Sequence, residues 1–254
     1  MLNGLVTALR TLTVLTVPGR ETEKFSSSLF WFPVVGLLLG AVQAFLASQA
    51  RLLAWNELSA ALVVLAGMVL TRGMHVDGFA DMADGFWGGK SKESALRIMK
   101  DPNVGSFGAL ALGALLLLKW IAVLKLVEQG AFSVLVAGVV LARLVQVLLA
   151  SSMPYARSEG GTAQAFVSGA GVSHSVVASI LTLCILNPLF FQDTLALFVV
   201  IPAALVAAMM VGLLSYRKIG GVTGDVLGAA SEMAELFVWI AGALFPGSQS
   251  QFSI

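Results

Sequence analysis

The chain has 254 residues, of which 58% are hydrophobic and 11% charged, with a net charge of +1; a soluble domain usually carries about 25% charged residues. Together with a mean hydropathy of +0.92, this composition excludes a water-facing globular surface. The near-zero charge excludes the basic footprint of a nucleic-acid binder.

Residues 1–18 interleave apolar positions with Thr7, Thr11, Thr13 and Thr16 and carry Arg10. They lack the basic start and continuous apolar run of a cleaved signal peptide, and they predict an interfacial amphipathic helix. A spanning helix needs about 20 mostly apolar residues. Segment 29–50 qualifies with no charge at all, and 58–71 is shorter but extends back through Trp55 and Asn56. Segments 104–124, containing Lys119, and 131–151, containing Arg143, come next. Segments 176–191 and 195–214 are separated by the turn-like Gln192-Asp193-Thr194, and 226–245 carries Glu232 and Glu235 in its first half. The single cysteine, Cys184, lies in an apolar run and reads as a buried small hydrophobe. It cannot form an internal disulfide, so cysteine usage points to no oxidising compartment.

Seven spans place Arg10, Arg20 and Lys24 on one side of the membrane with the loop lysines and arginines from Arg72 to Lys100, Arg157, Arg217 and Lys218. Eleven basic residues then share that side, against only Arg51 and Lys125 opposite. The positive-inside rule makes the richer side cytoplasmic. The expected fold is an all-α, polytopic membrane bundle of about seven helices, N-in and C-out. It forms one domain over 1–254, with a cytoplasmic polar segment at 72–103.

That segment carries His75, Asp77, Asp81 and Asp84. The three aspartates are spaced i, i+4, i+7 and stack along one helical face. Carboxylates so placed repel unless a cation lies among them, and hard divalent ions such as Mg²⁺ take oxygen ligands while keeping positions open for phosphate. His75 falls at the helix entrance. Gly78, Gly85, Gly88 and Gly89 add positions where backbone can approach a ligand. A solvated acidic face is the plainer reading of such a stripe, but this one abuts a membrane span. Lys100, just before the next span, can hold a phosphate, and helix N-terminal amides favour anions. Asp225 and Glu232 are seven apart on one face, and Gly228 and Ala229 beside them allow a second helix to pack close. An ionisable residue two turns into a span, as Glu232 is, marks function by default, with pairing to Arg143 as its structural alternative. Arg143 and Arg157 offer the guanidinium fork that fits phosphate oxygens. Lys119 is expected to snorkel or pair, and His174 and Asp193 read as surface residues.

Four of these runs, in order, resemble the cobalamin synthase family (adenosylcobinamide-GDP ribazoletransferase). They are His75-x-Asp77-Gly78-x-x-Asp81-x-x-Asp84-Gly85; Met99-Lys100-Asp101 with Val104-Gly105-x-Phe107-Gly108; Pro154-Tyr155-Ala156-Arg157; and Gly221-x-Thr223-Gly224-Asp225-x-Leu227-Gly228-Ala229 with Glu232. Asn103 stands where a basic residue often occurs, so no phosphate contact is expected there. The resemblance implies Mg²⁺-dependent transfer from adenosylcobinamide-GDP to the 3′-hydroxyl of α-ribazole, or of its 5′-phosphate, giving adenosylcobalamin or its phosphate and GMP. It implies metal binding by Asp77, Asp81, Asp84, Asp225 and Glu232. Substrate or phosphate contacts would come from Lys100, Asp101, Arg143, Arg157 and Thr223, with His75 or an unligated aspartate as base. The family is membrane-integral, so a bacterial inner-membrane location in contact with the lipid bilayer is expected; the basic split puts the active site on the cytoplasmic side, the net charge points to no nucleic-acid partner, and a homo-oligomer is compatible with all of this.

Two other readings compete. A CDP-alcohol-type phosphotransferase shares Asp-x-x-Asp-Gly at Asp81–Gly85, but Gly88-Gly89 replace the Ala-Arg it needs next. A cation-coupled transporter would place acids near mid-membrane on several spans.

Overall fold

The computed structural model describes residues 2–52 and 54–245; residues 1, 53 and 246–254 of the expected single domain lie outside the described residues. Eleven α-helices follow one another among the described residues, with no strand beyond one isolated bridge. Helix α1 (Leu2–Leu12) buries Gly4, Thr7, Ala8 and Leu12, a helical stripe that settles on the following turn of 3-10 helix (Phe25–Trp31). That turn runs straight into α2 (Phe32–Arg51).

Among the described residues, six helices are long and apolar enough to cross a bilayer. They are α2 with its 3-10 lead, α6 (Ser106–Gln129), α7 (Phe132–Ser152), α9 (Val172–Leu189), α10 (Leu197–Ile219) with its own 3-10 lead, and α11 (Gly224–Leu244). The chain is therefore a multi-pass membrane protein. The segment expected to span at 58–71 is α3 (Asn56–Leu70). Its 15 residues reach only about 22 Å at 1.5 Å per residue, short of a hydrocarbon core about 30 Å thick. It makes a seventh span only together with α4 (Met74–Gly88), which meets it at 87°. The bend lies at Arg72 and Gly73, both left-handed, with φ of 57° and 67°. Arg72 donates to the Arg10 carbonyl at 2.6 Å, and the Val14 amide donates to Leu70 at 2.8 Å, so the N-terminal segment braces the elbow.

Helix α7 is the axis of the bundle, packed against α2, α9, α10 and α11. Helix α9 runs along the rim and buries little besides Ala178, Thr182 and Leu186. Cys184 points outward from it and is exposed, contrary to the buried position read from its apolar run. On a rim helix an apolar run faces lipid as readily as protein.

The buried charges sit where α6, α7 and α11 meet. The Lys119 ammonium lies 2.5 Å from Glu232 and 2.8 Å from Glu235, all three side chains being 6% exposed. It also stands 5.0 Å from the Trp239 ring centre, over a face that attracts cations. Arg143 of α7 donates to the Ser231 hydroxyl instead of pairing with Glu232. Removing one partner of a buried pair strands the other charge, at about 3–5 kcal/mol. Lys119→Met should therefore lower thermal stability in detergent by that order. Lys119→Met combined with Glu232→Gln and Glu235→Gln should recover most of the loss. A single variant as stable as wild type would show that the three charges do not hold the helices together.

Candidate active site

The site is built where α4 crosses α11 in antiparallel sense. A Cβ added at Gly78 would lie 2.8 Å from the Asp225 Cα, and one added at Gly228 would lie 3.1 Å from the His75 Cα. Only two bare backbones can meet that closely. The crossing sets the first turn of α4, with Asp77, against the first turn of α11, with Asp225. Both carboxylates thus occupy helix N-termini, where the macrodipole favours negative charge. Thr223 caps α11 by accepting from the Val226 amide at 3.3 Å, and its hydroxyl donates to Asp225 at 3.2 Å.

Arg157 arrives from the α7–α8 connection, before α8 (Gln164–Val167). The Ala156 amide donates to the Val222 carbonyl and the Val222 amide to the Pro154 carbonyl, each at 2.9 Å, forming a parallel bridge between Tyr155 and Val222. A side chain on Gly221 would strike the Pro154 carbonyl, so the two runs can pair only with glycine there. The bridge delivers the Arg157 guanidinium to Asp225, Nη2 to Oδ2, at 2.8 Å. Arg157 Nε is buried and has no hydrogen-bond partner. Asp81 completes the group: it is half-buried and within electrostatic reach of Asp225, Asp77, Arg157 and Asp84.

The remaining residues read from the sequence divide into three settings. Asp84 is buried, and its two carboxylate oxygens accept from the Gly105 amide at 2.7 Å and the Gly108 amide at 2.8 Å. It caps α6 from a neighbouring helix, and the glycines of the Val104–Gly108 run make room for its carboxylate. Lys100 and Asp101 lie at the surface after α5 (Lys92–Ile98). Lys100 pairs with Glu159 at 2.7 Å and holds that carboxyl below its ordinary range. Asp101 accepts from the Asn103 backbone amide at 2.9 Å and side-chain amide at 2.8 Å, which hold its carboxyl low in the same way. Glu232 and Arg143 belong to the buried charge group behind the site and do not join Asp77 and Asp81. Among the described residues, no three His, Cys, Asp or Glu side chains converge closely enough to hold an ion as they stand.

A cavity of about 170 Å³ opens beside the aspartates, lined by His75, Asp77 and Asp225, by Gln146 of α7, and by Phe32 and Phe166. His75 is 2% exposed and its Nδ1 has no hydrogen-bond partner; Gln146 is 3% exposed and its Oε1 has none either. Sequence reasoning passed over Gln146 and Phe166. A glutamine one helical turn from Arg143 in a span was the available signal for the first; nothing in the sequence distinguishes Phe166 from the other fourteen phenylalanines. His174, read as a plain surface residue, stacks on Phe30 with ring centres 4.5 Å apart and accepts from the Gly171 amide.

The sequence model of the cobalamin-5-phosphate synthase family matches residues 4–243. Three curated relatives share the name adenosylcobinamide-GDP ribazoletransferase. That of Pelodictyon phaeoclathratiforme is 70% identical over 248 residues, covering 96% of this chain and 98% of its own. That of Chlorobium chlorochromatii is 63% identical over 244 residues, covering 96% and 97%. The more distant protein of Syntrophobacter fumaroxidans is 36% identical over 245 residues, covering 93% and 96%. No solved structure matches.

The different settings of the aspartates separate their roles. Asp84→Asn leaves one acceptor oxygen for two buried amides and should cost about 1–3 kcal/mol of stability. Asp77→Asn, at an exposed position, should leave stability within about 0.5 kcal/mol of wild type. Melting curves of the two variants in the same detergent check this, and equal curves would remove Asp84 from its anchoring role.

Proposed function

Because this chain belongs to the cobalamin-5-phosphate synthase family, we propose that it is the enzyme that transfers the adenosylcobinamide phosphate group of adenosylcobinamide-GDP to the 3′-hydroxyl of α-ribazole or α-ribazole 5′-phosphate. The products are adenosylcobalamin, or its phosphate, and GMP. The observation that carries this reading is the grouping of Asp77, Asp81 and Asp225 about Arg157, with Asp77 and Asp225 lining one cavity.

In the reaction, the ribazole hydroxyl oxygen attacks the phosphorus bonded to cobinamide. The bond from that phosphorus to the GMP oxygen breaks, and the hydroxyl proton passes to a base. His75 suits the base, since its unpaired Nδ1 is buried and its side chain lines the cavity with Asp77 and Asp225. Arg157 is anchored through Nη2 by Asp225 and its Nε has no partner, so the guanidinium keeps donor capacity for a diphosphate oxygen. Mg²⁺ is usually held by one or two carboxylates plus substrate phosphates. Asp77 and Asp81 fit that pattern, because neither carboxylate is committed to an amide or a cation as those of Asp84 and Asp225 are. Such an ion would neutralise charge on the diphosphate.

We further propose that α3, bent into α4, completes a seventh span, giving an N-in, C-out orientation in a bacterial inner membrane with this site on the cytoplasmic side; with that span counted, basic residues split eleven to two. In a Cys184→Ser background, single cysteines at Lys90 and Arg97 should react only with reagent inside intact cells. Labelling from outside would overturn the orientation.

The activity test is GMP release from adenosylcobinamide-GDP and α-ribazole by purified protein. Release should require Mg²⁺ or Mn²⁺ and cease with EDTA. Asp81→Asn should lose roughly 10²–10⁴-fold in rate with its melting curve unchanged or slightly raised, since one like charge is gone. Asp193→Asn, in the turn before α10, should turn over normally. Full activity of Asp81→Asn at saturating Mg²⁺, or turnover that survives chelation, would sink the metal-assisted mechanism.

A further inference from the structure

The 170 Å³ cavity beside Asp77 and Asp225 has the wrong lining for a phosphate. Leu12, Leu29, Phe32, Phe166 and Leu227 form an apolar part of its wall, and its lining contains no lysine or arginine. Phe166 packs edge-on against Phe25, with ring centres 5.4 Å apart, and tilted toward Phe32 at 6.3 Å, so its ring is held in place before anything binds. An apolar cavity of about 150 Å³ suffices for a benzene ring, so this one accepts a flat heteroaromatic that reaches out through its mouth.

Gln146 is one of the polar residues of the wall, with His75, Thr11 and Thr162. Its carboxamide is 3% exposed. Its Oε1 has no partner, and its Nε2 makes a single long bond of 3.4 Å to the Leu227 carbonyl. The second proton on Nε2 has no acceptor, and a buried donor in that state costs free energy unless a ligand accepts from it.

We propose that this cavity is the subsite for the heteroaromatic base of the acceptor nucleoside, and that Gln146 selects that base by donating a hydrogen bond to its unsubstituted ring nitrogen. This rests on the transfer reaction proposed above. Two bases compete for the space, since the donor substrate carries guanine. Guanine presents donors and acceptors around most of its edge, more than Gln146 and the polar residues beside Asp77 can pair while Leu12, Leu29 and the two phenylalanines face the rest. A benzimidazole glycoside presents one ring acceptor and is otherwise apolar, which matches one buried amide in an apolar wall. Seated there, the base places its ribose toward Asp77 and Asp225 at the cavity edge, where the reacting hydroxyl is needed.

The experiment uses purified full-length protein, two acceptors and two variants on different helices. The acceptors are α-ribazole and its indole analogue, in which the free ring nitrogen is replaced by carbon. Wild type should favour α-ribazole by roughly tenfold in KM, the effect of one buried hydrogen bond. Gln146→Leu should raise the KM for α-ribazole to that of the analogue and erase the preference, with the KM for adenosylcobinamide-GDP unchanged. Ala163→Leu, which fills the cavity from the α8 side, should raise KM for both acceptors alike. Equilibrium dialysis of α-ribazole against the same proteins gives a second readout independent of turnover, with binding expected to weaken in both variants. Unchanged acceptor KM and binding in both variants would overturn the proposal, as would a rise confined to adenosylcobinamide-GDP, which would put guanine in the cavity. Active wild type with normally binding variants removes this subsite alone. Wild type that binds α-ribazole through Gln146 but releases no GMP removes the reaction and leaves the subsite.

Discussion

The close crossing of α4 over α11 is the constraint on which the site depends. Gly78 and Gly228 leave no side chain between the two backbones, and the helix starts meet as a consequence. That single contact turns two separate stretches of sequence, roughly 150 residues apart, into one acidic group. It also explains why the elbow at Arg72 and Gly73 matters. A straight continuation of α3 would carry Asp77 and Asp81 away from α11, whereas an 87° bend lays α4 across it. The left-handed φ at Arg72 has a cost of the order of 1 kcal/mol or more, and the bond from its side chain to the Arg10 carbonyl helps to offset it.

Behind the crossing, the membrane interior holds two acids, a lysine and an arginine. Their formal charges cancel, and the contacts of Lys119 with Glu232 and Glu235 are short. In a medium that cannot solvate an unpaired ion, this arrangement fixes the rotation of α6 and α11 about their own axes, because turning either helix would separate the charges. The rotation of α11 in turn decides which way Asp225 faces. The buried network is thus a positioning device for a residue two turns away that it does not touch.

The sequence made the membrane class and the helical segments legible because an uncharged apolar run of spanning length has no stable place in water. It made the aspartate stripe legible because i, i+4, i+7 fixes a face whatever the helix packs against. It could not show that the segment at 58–71 stops short and turns, since the elbow is a matter of φ at two residues. Nor could it divide the acids among roles. Asp84 and Asp81 look alike in the motif, yet one faces two orphan amides of α6 and the other faces Asp225. Glu232 shares a helical face with Asp225, but it finds Lys119 first because α6 packs on that face deeper in the membrane. Cys184 shows the general limit: hydropathy separates water from everything else and cannot separate protein interior from lipid.

Charge balance at the crossing bears on how a diphosphate could enter. Asp77, Asp81 and Asp225 face one guanidinium, and Arg157 already spends part of its charge on Asp225. Lys100 is paired with Glu159 at the surface, and the deeper cations are matched by Glu232 and Glu235. A diphosphate approaching alone therefore meets net negative charge, and repulsion at a few ångströms in a half-buried site is worth several kcal/mol. Arg157 is the cation that bears on both Asp81 and Asp225, so on the proposed reaction we expect the substrate to bring a second. A magnesium diphosphate would reverse the sign of the encounter, because Asp77 and Asp81 would attract its ion where they repel the bare phosphate. On the proposed reaction the aspartates would then favour the metal-loaded nucleotide over the free one, a discrimination that a site built from lysines and arginines could not make.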